Sequence, residues 1–168
     1  MRPVLPAAVI FAAAAMALSA PAQAQEVYGG VYAHGVDTPF TFDTGEGGVD
    51  LQAGYRFAPI EGLSAIGSPE PHVFVSVNLD GDTNFGGVGL TWKAEIGDIY
   101  FRPGAGLVIH DAPSLRVDPA TGIRTDLGSR ILFAPEIAIG TQVSERMSVE
   151  ASWVHISNAQ IFDSDQNP

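Results

Sequence analysis

The chain contains no cysteine, so no disulfide staples it and its stability must come from a packed core or from a membrane. Basic residues are scarce: 8 Lys and Arg stand against 19 Asp and Glu, a formal charge of −11. A surface that tracks phosphates needs cations, and this shortage excludes nucleic acid as a partner. Long apolar runs are also missing. After residue 24 none reaches the roughly 18 residues of a membrane-spanning helix. Internal repeats, low-complexity tracts and a sustained helical periodicity are absent as well.

What is present begins with an export-type N-terminus. Met1 and Arg2 give a short positive start, Val4 to Leu18 is apolar and alanine-rich, and Ala22-Gln23-Ala24 is a small-residue cleavage pattern. Residues 1–24 are expected to be a signal peptide and residues 25–168 one exported domain, starting near Gln25. Nineteen glycines, with Val, Ile, Phe and Tyr spread between them, point to β structure with tight turns.

Alternate residues of a strand face opposite sides, so each candidate segment divides into two sets. In Phe85 to Ile96, Val88, Leu90, Trp92, Ala94 and Ile96 oppose Gly87, Gly89, Thr91, Lys93 and Glu95. In Asp98 to His110, Ile99, Phe101, Leu107 and Ile109 oppose Tyr100, Arg102, Gly104, Gly106 and His110. Gly48 to Phe57, His72 to Leu79 and Arg130 to Val143 divide similarly, and Val27 to Val36 and Arg146 to Asn158 bring the count to seven. Many of these segments approach the 9 to 11 residues of a membrane-crossing strand. Their polar sets mix glycine with Lys93, Glu95, Arg102, Glu136 and Glu150, which suits a narrow interior of paired charges, whereas the apolar sets suit a lipid-facing exterior.

The expected fold is therefore all-β, an antiparallel up-and-down transmembrane β-barrel of the eight-stranded type with about seven strands present. A soluble barrel is the alternative. Tight turns at Gly97-Asp98 and Ser144 to Arg146, and long connections at Asp37 to Glu46 and Asp111 to Ser129, place the N-terminus on the periplasmic side. Two connections break the rule: Ala58 to Pro71 is long for a periplasmic turn, and Asp80 to Asn84 is short for an outer loop.

Several residues have bland readings. His34, His72 and His110 lack companions at metal-ligand spacing and read as structural or interfacial. Lys93, Arg102, Glu136 and Glu150 read as lumen ion pairs. Asp80 to Asn84 looks like part of a calcium loop but has neither the flanking helices nor the distal glutamate, and reads as a hairpin turn. Trp92, Trp153, Tyr55 and Tyr100 are candidates for interfacial girdles.

The chemistry concentrates in Trp153 to Ala159, WVHISNA. His155 and Ser157 continue the apolar parity of Met147, Val149, Ala151 and Trp153, so they are expected on the lipid-facing wall near one interface. Residues two apart on a strand share a face with Cα atoms roughly 6.5 to 7 Å apart. A serine hydroxyl becomes a good nucleophile when a nearby imidazole takes its proton, and an acid helps by fixing the imidazole tautomer. On spacing alone His-x-Ser is more often structural.

The longer string HISNAQI, late in an exported barrel, resembles the PagL-type lipid A deacylases, whose signature is His-x-Ser-Asn-Ala followed by a loop and an acidic residue in the last strand. The resemblance is specific over Trp153 to Ile161 and architectural elsewhere. It implies an outer-membrane serine esterase that removes the ester-linked 3-position acyl chain of lipid A without metal or other cofactor. Its partners would be lipopolysaccharide, outer-membrane lipids and, as a candidate, a second copy of the chain. By position Ser157 would be the nucleophile and His155 the base, with the Gln160 backbone N–H and the Asn167 side chain stabilising the oxyanion. The family's acid lies beyond a Gly-containing turn in the final strand, and the sequence reaches Pro168 first. A C-terminally incomplete barrel is therefore expected, with Asp163 and Asp165 read as turn residues. The rival functional reading is a non-enzymatic structural or adhesion barrel, and a third is a soluble periplasmic carrier.

Overall fold

The structure, a computed structural model, describes residues 17–19, 25–36, 38, 45–113, 116–117, 122, 124–125, 127 and 129–159. The described elements are β1 (Ala17–Ser19), β2 (Glu26–Ala33), β3 (Val49–Arg56), a short 3-10 helix (Glu61–Ile66), β4 (Glu70–Asn78), β5 (Phe85–Thr91), β6 (Ala94–Ile96), β7 (Ile99–His110), β8 (Arg116–Val117), β9 (Arg124–Thr125), β10 (Ile131–Ser144) and β11 (Met147–Val154). All pairings are antiparallel, and the seven long strands follow one another up and down in the order β2, β3, β4, β5, β7, β10, β11. β1 pairs with both β11 and β2 and so occupies the eighth place, over two residue pairs on each side. That place is the one the sequence count leaves empty, and Ala17–Ser19 falls within the segment read as an export signal.

The all-β, up-and-down expectation holds, and so does its polarity. Val27, Val31, Leu51, Val75, Val77, Val88, Leu107, Ile109, Ile137, Ile139 and Trp153 are exposed, while Asp50, Gln52, Arg56, Glu70, His72, Ser76, Arg102, Glu150 and Ser152 are buried. A soluble barrel would reverse these two sets. An apolar exterior around a charged interior is stable where the surroundings are themselves apolar, which weighs against the soluble-barrel alternative.

Three layers fill the interior, legible along β4 as Glu70, His72, Phe74, Ser76 and Asn78. Nearest the short turns is a charged layer. Arg56 meets Glu26 at 3.0 Å and Glu150 at 2.8 Å, while Arg102 meets Glu70 at 2.9 Å, Glu26 at 3.1 Å and Glu150 at 3.1 Å. The last of these is a charge contact without hydrogen-bond alignment, since neither Arg102 Nε nor Glu150 Oε1 has a hydrogen-bond partner. Next comes an apolar layer of Tyr28, Phe74, Val108, Leu132 and Ala134. At the long-loop mouth, Asp50 accepts a hydrogen bond from Asn78 and faces His34, which also pairs with Glu46.

Glycine makes room for the large interior rings. Tyr28 lies opposite Gly54, His72 opposite Gly89 and Tyr100 opposite Gly140, and in each pair a Cβ on the glycine would collide with the facing ring. The hairpin at Gly97-Asp98 uses glycine differently: its φ of +64° is the left-handed conformation a two-residue turn demands.

Three expectations are corrected. Phe85 to Ile96 is interrupted as a strand at Trp92-Lys93: Trp92 N donates in register to Pro103 O, Pro103 has no N–H to return the bond, and the same register resumes at Ala94↔Phe101. Beyond the break Glu95 is exposed, and Lys93 pairs with it at 3.3 Å while resting over the Tyr100 ring, so this pair sits at the rim and not among the lumen charges. Tyr100 is 3% exposed and belongs to the interior, not to a girdle, as its parity with Arg102 requires.

Candidate active site

β10 and β11 form the wall that carries the site. Their ladder runs from Gln142↔Ser148 to Glu136↔Val154, and backbone bonds continue it past the end of β11. His155 N donates to Pro135 O at 3.0 Å, and Ser157 exchanges both bonds with Phe133, at 2.7 and 3.0 Å. Proline has no N–H, so Pro135 cannot return the bond to the His155 carbonyl. The ladder is thus half open at the histidine and closed again at the serine.

Continuing register means continuing parity. Val154 and Ile156 pack against the apolar layer, Asn158 is fully buried, and Trp153, His155 and Ser157 alternate with them on the outer side. The inward anchors hold the segment as a strand-like extension, which puts the histidine and the serine on one face. The imidazole stacks on the Trp153 indole with ring centroids 5.8 Å apart and planes 18° apart. Burial lowers the His155 pKa below its ordinary value, so the ring is a neutral base near pH 7.

One expectation needs refinement. Ser157 lies on the outer side by register yet is only 6% exposed, whereas Trp153 is 38% exposed. The outer wall at this point is therefore covered and not freely open to its surroundings. Immediately afterwards the chain turns at Ala159, whose φ of +52° is a left-handed conformation unusual for a residue with a side chain. No hydrogen bond joins the His155 ring to the Ser157 hydroxyl in this structure; such bonds commonly tighten only once substrate is bound. Gln160 and Asn167, expected at the oxyanion, and Asp163 and Asp165 lie outside the described residues.

The segment stands at the same end of the barrel as the β2–β3, β4–β5 and β7–β10 connections, opposite the tight turns at Gly97-Asp98 and Glu145-Arg146. The sequence signature of the lipid A 3-O-deacylase (PagL) family matches residues 28–168, all but the N-terminal stretch. The chain belongs to the PagL family. No curated protein and no solved structure matches it. As a PagL-family barrel it pairs a deacylase sequence with a wall whose outer side carries a histidine and a serine in ladder register.

The other histidines have structural partners. His34 is clamped by Asp50 at 2.9 Å and Glu46 at 2.8 Å; burial opposes its charge, but these hydrogen bonds and the attraction of both carboxylates raise its pKa to about 9. His72 Nδ1 lies 3.2 Å from the Tyr28 hydroxyl, and His110 meets the Ser129 carbonyl at 2.6 Å. Among the described residues no three His, Asp or Glu side chains are placed to hold a metal ion. Sequence reasoning missed Arg56, Glu26 and Glu70 as partners in the lumen. Arg56 had a readable parity, whereas Glu26 and Glu70 fall just before the expected strands, in β2 and β4 as the structure draws them, and which charges meet depends on cross-strand register.

Proposed function

We propose that this chain is an outer-membrane serine esterase that hydrolyses the 3-position acyl ester of lipid A. The observation that carries the reading is the Trp153, His155, Ser157 line on the outer side of an inside-out barrel, at its long-loop end. A lipid substrate reaches such a wall by diffusing sideways in its own leaflet.

In the proposed reaction His155 takes the Ser157 proton as Oγ attacks the ester carbonyl carbon. The tetrahedral oxyanion is held by the Gln160 backbone N–H and the Asn167 amide. Collapse breaks the ester C–O bond, and the imidazolium returns the proton to the departing sugar oxygen. Water, deprotonated by His155, then attacks the acyl-serine and releases a 3-hydroxy fatty acid with Ser157 restored. Trp153 orients the imidazole by stacking. The carboxylate that would fix the tautomer is not among the described residues. Residues 1–24 act as an export signal in this reading, and their removal takes β1 out of the seam between β11 and β2.

Incubating the full-length protein with lipopolysaccharide and weighing the lipid A by mass spectrometry tests the proposal. The expected result is loss of one 3-hydroxyacyl mass with the wild type and none with Ser157→Ala. The same loss with Ser157→Ala overturns the assignment.

A further inference from the structure

The 13 residues between β3 and β4 are anomalous twice over: they are long for a connection at the short-turn end, and they display apolar side chains without burying them. Every residue from Ile60 to Gly67 is exposed, and the 3-10 helix (Glu61–Ile66) has no buried residue at all. Ile60, the extended N-cap residue, Leu63 at the kink and Ile66 at the last helical position follow at three-residue intervals and are 37%, 39% and 58% exposed, a spacing that one 3-10 turn repeats. Glu61 is the helix's one charge, and with Ser64 it falls on a different side.

A segment with no core of its own is nevertheless firmly held by its backbone. Phe57 N donates to Pro71 O at 2.8 Å and Ile60 N to Pro69 O at 2.9 Å. Gly67, left-handed at φ +89°, closes the helix with bonds to Leu63 and Ser64, and the Trp92 indole N–H donates to Ile66 O at 2.8 Å. The segment is therefore built to present this stripe, and water is an unfavourable neighbour for three adjacent large aliphatic side chains.

We infer that this segment is an interfacial foot that rests its Ile60, Leu63, Ile66 stripe in the headgroup–acyl boundary of the membrane leaflet at the short-turn end. Its partner is a glycerophospholipid surface, and the inference rests on the barrel being a membrane protein. Continuity is the argument for lipid over protein. Phe57, 42% exposed, extends the outward set of β3, packs edge-on against Tyr55 at 4.8 Å, and joins the strand wall to the stripe without an intervening charge. Trp92 supplies the amphipathic ring that favours this depth, with its N–H already committed to the helix. The long periplasmic connection thereby acquires a use that a tight turn could not serve.

The cysteine-free chain makes the test direct, because each introduced cysteine is unique. Nitroxide labels at Ile66→Cys and Ser64→Cys, with Val75→Cys as a mid-wall reference, are compared in phosphatidylethanolamine–phosphatidylglycerol vesicles for collisions with oxygen and with a water-soluble nickel chelate. The expected result is a several-fold higher oxygen-to-nickel ratio at 66 than at 64, with 75 higher still. Equal ratios at 66 and 64, with 75 still shielded from nickel, overturn the foot and leave the membrane barrel standing. Nickel access at 75 as well would remove both. A label at 66 that is shielded in native outer-membrane fragments but open to nickel in the pure lipid vesicles would overturn lipid as the partner in favour of a protein.

Discussion

Replacing Arg102 by methionine probes the charged layer most directly. The side chain is fully buried and reaches Glu70, Glu26 and Glu150 at 2.9 to 3.1 Å. Within the layer Arg56 and Arg102 answer Glu26, Glu70 and Glu150, with Glu136 pointing into the same interior. Methionine keeps the bulk and deletes the charge. Arg56 retains Glu26 and Glu150, whereas Glu70 loses its one cation among the described residues. Breaking a buried pair from one side typically costs about 3 to 5 kcal/mol. The folded-to-unfolded ratio should therefore fall by roughly 10²- to 10⁴-fold. Urea unfolding in lipid vesicles, followed by cold-gel mobility, measures it. Adding Glu70→Gln should recover at least about 1 kcal/mol, because the stranded carboxylate is then gone. Lys93→Met is the control: its pairing with exposed Glu95 is worth less than about 1 kcal/mol. If Arg102→Met unfolds within about 1 kcal/mol of wild type, or Glu70→Gln recovers nothing, the account of the interior as a mutually compensating charge layer is wrong.

Other outcomes follow from the site and the mouth. Ser157→Ala should lower lipid A deacylation by about 10⁴-fold or more with assembly unchanged. The stacking of Trp153 on His155 is worth about 0.5 to 1.5 kcal/mol, so Trp153→Leu should lower kcat about two- to tenfold with Trp153→Phe nearer wild type; equal losses in both would point away from stacking. A base must be neutral to act, and His155 holds its proton less tightly than an ordinary histidine, so the acid limb of kcat/KM should lie below about pH 6.5. His34 behaves oppositely. Its raised pKa stabilises the clamp fully below the unfolded value of about 6.5, and that stability drains away as pH climbs through about 9. Amide protection factors in residues 45–50, with the intrinsic pH dependence of exchange divided out, should fall over that window in wild type and stay flat in His34→Gln. N-terminal sequencing of the exported protein should begin at Gln25; an intact Ala17–Ser19 in the membrane form would contradict the signal reading.

Much of the architecture was legible because a period of two survives wherever one side of a strand meets lipid and the other meets a narrow lumen. Val73, Val75 and Val77 against His72, Phe74 and Ser76 declare their sides from sequence alone. Parity also held across Trp92-Lys93, where only the missing N–H of Pro103 interrupts the bonding and the register with β7 is kept. Glu95 keeps its place opposite Tyr100, and what parity did not show is that this end of the strand stands at the open rim, where Glu95 is exposed. Pairing across strands was illegible for a related reason: Tyr28 over Gly54 and Tyr100 over Gly140 are far apart in sequence, and nothing local announces the register. At the site, the shared side of His155 and Ser157 followed from periodicity, and the signature HISNA raised that pair above a structural reading. The burial of Ser157 did not follow. Parity gives direction from the strand axis and carries no information on what lies over the wall.

The charged layer also decides where the products of such a wall can go. Arg56 and Arg102, 2% and 0% exposed, reach across the interior to their carboxylates, so at that depth the space between the strands is filled by paired side chains. On the proposed function, a fatty acid cut on the outer side at Ser157 would leave along the leaflet or into the medium, because the filled interior offers it no route inward. Deacylation of this kind would remodel the cell surface without returning carbon to the cell: the severed chain becomes a new constituent of the barrier, or is shed from it.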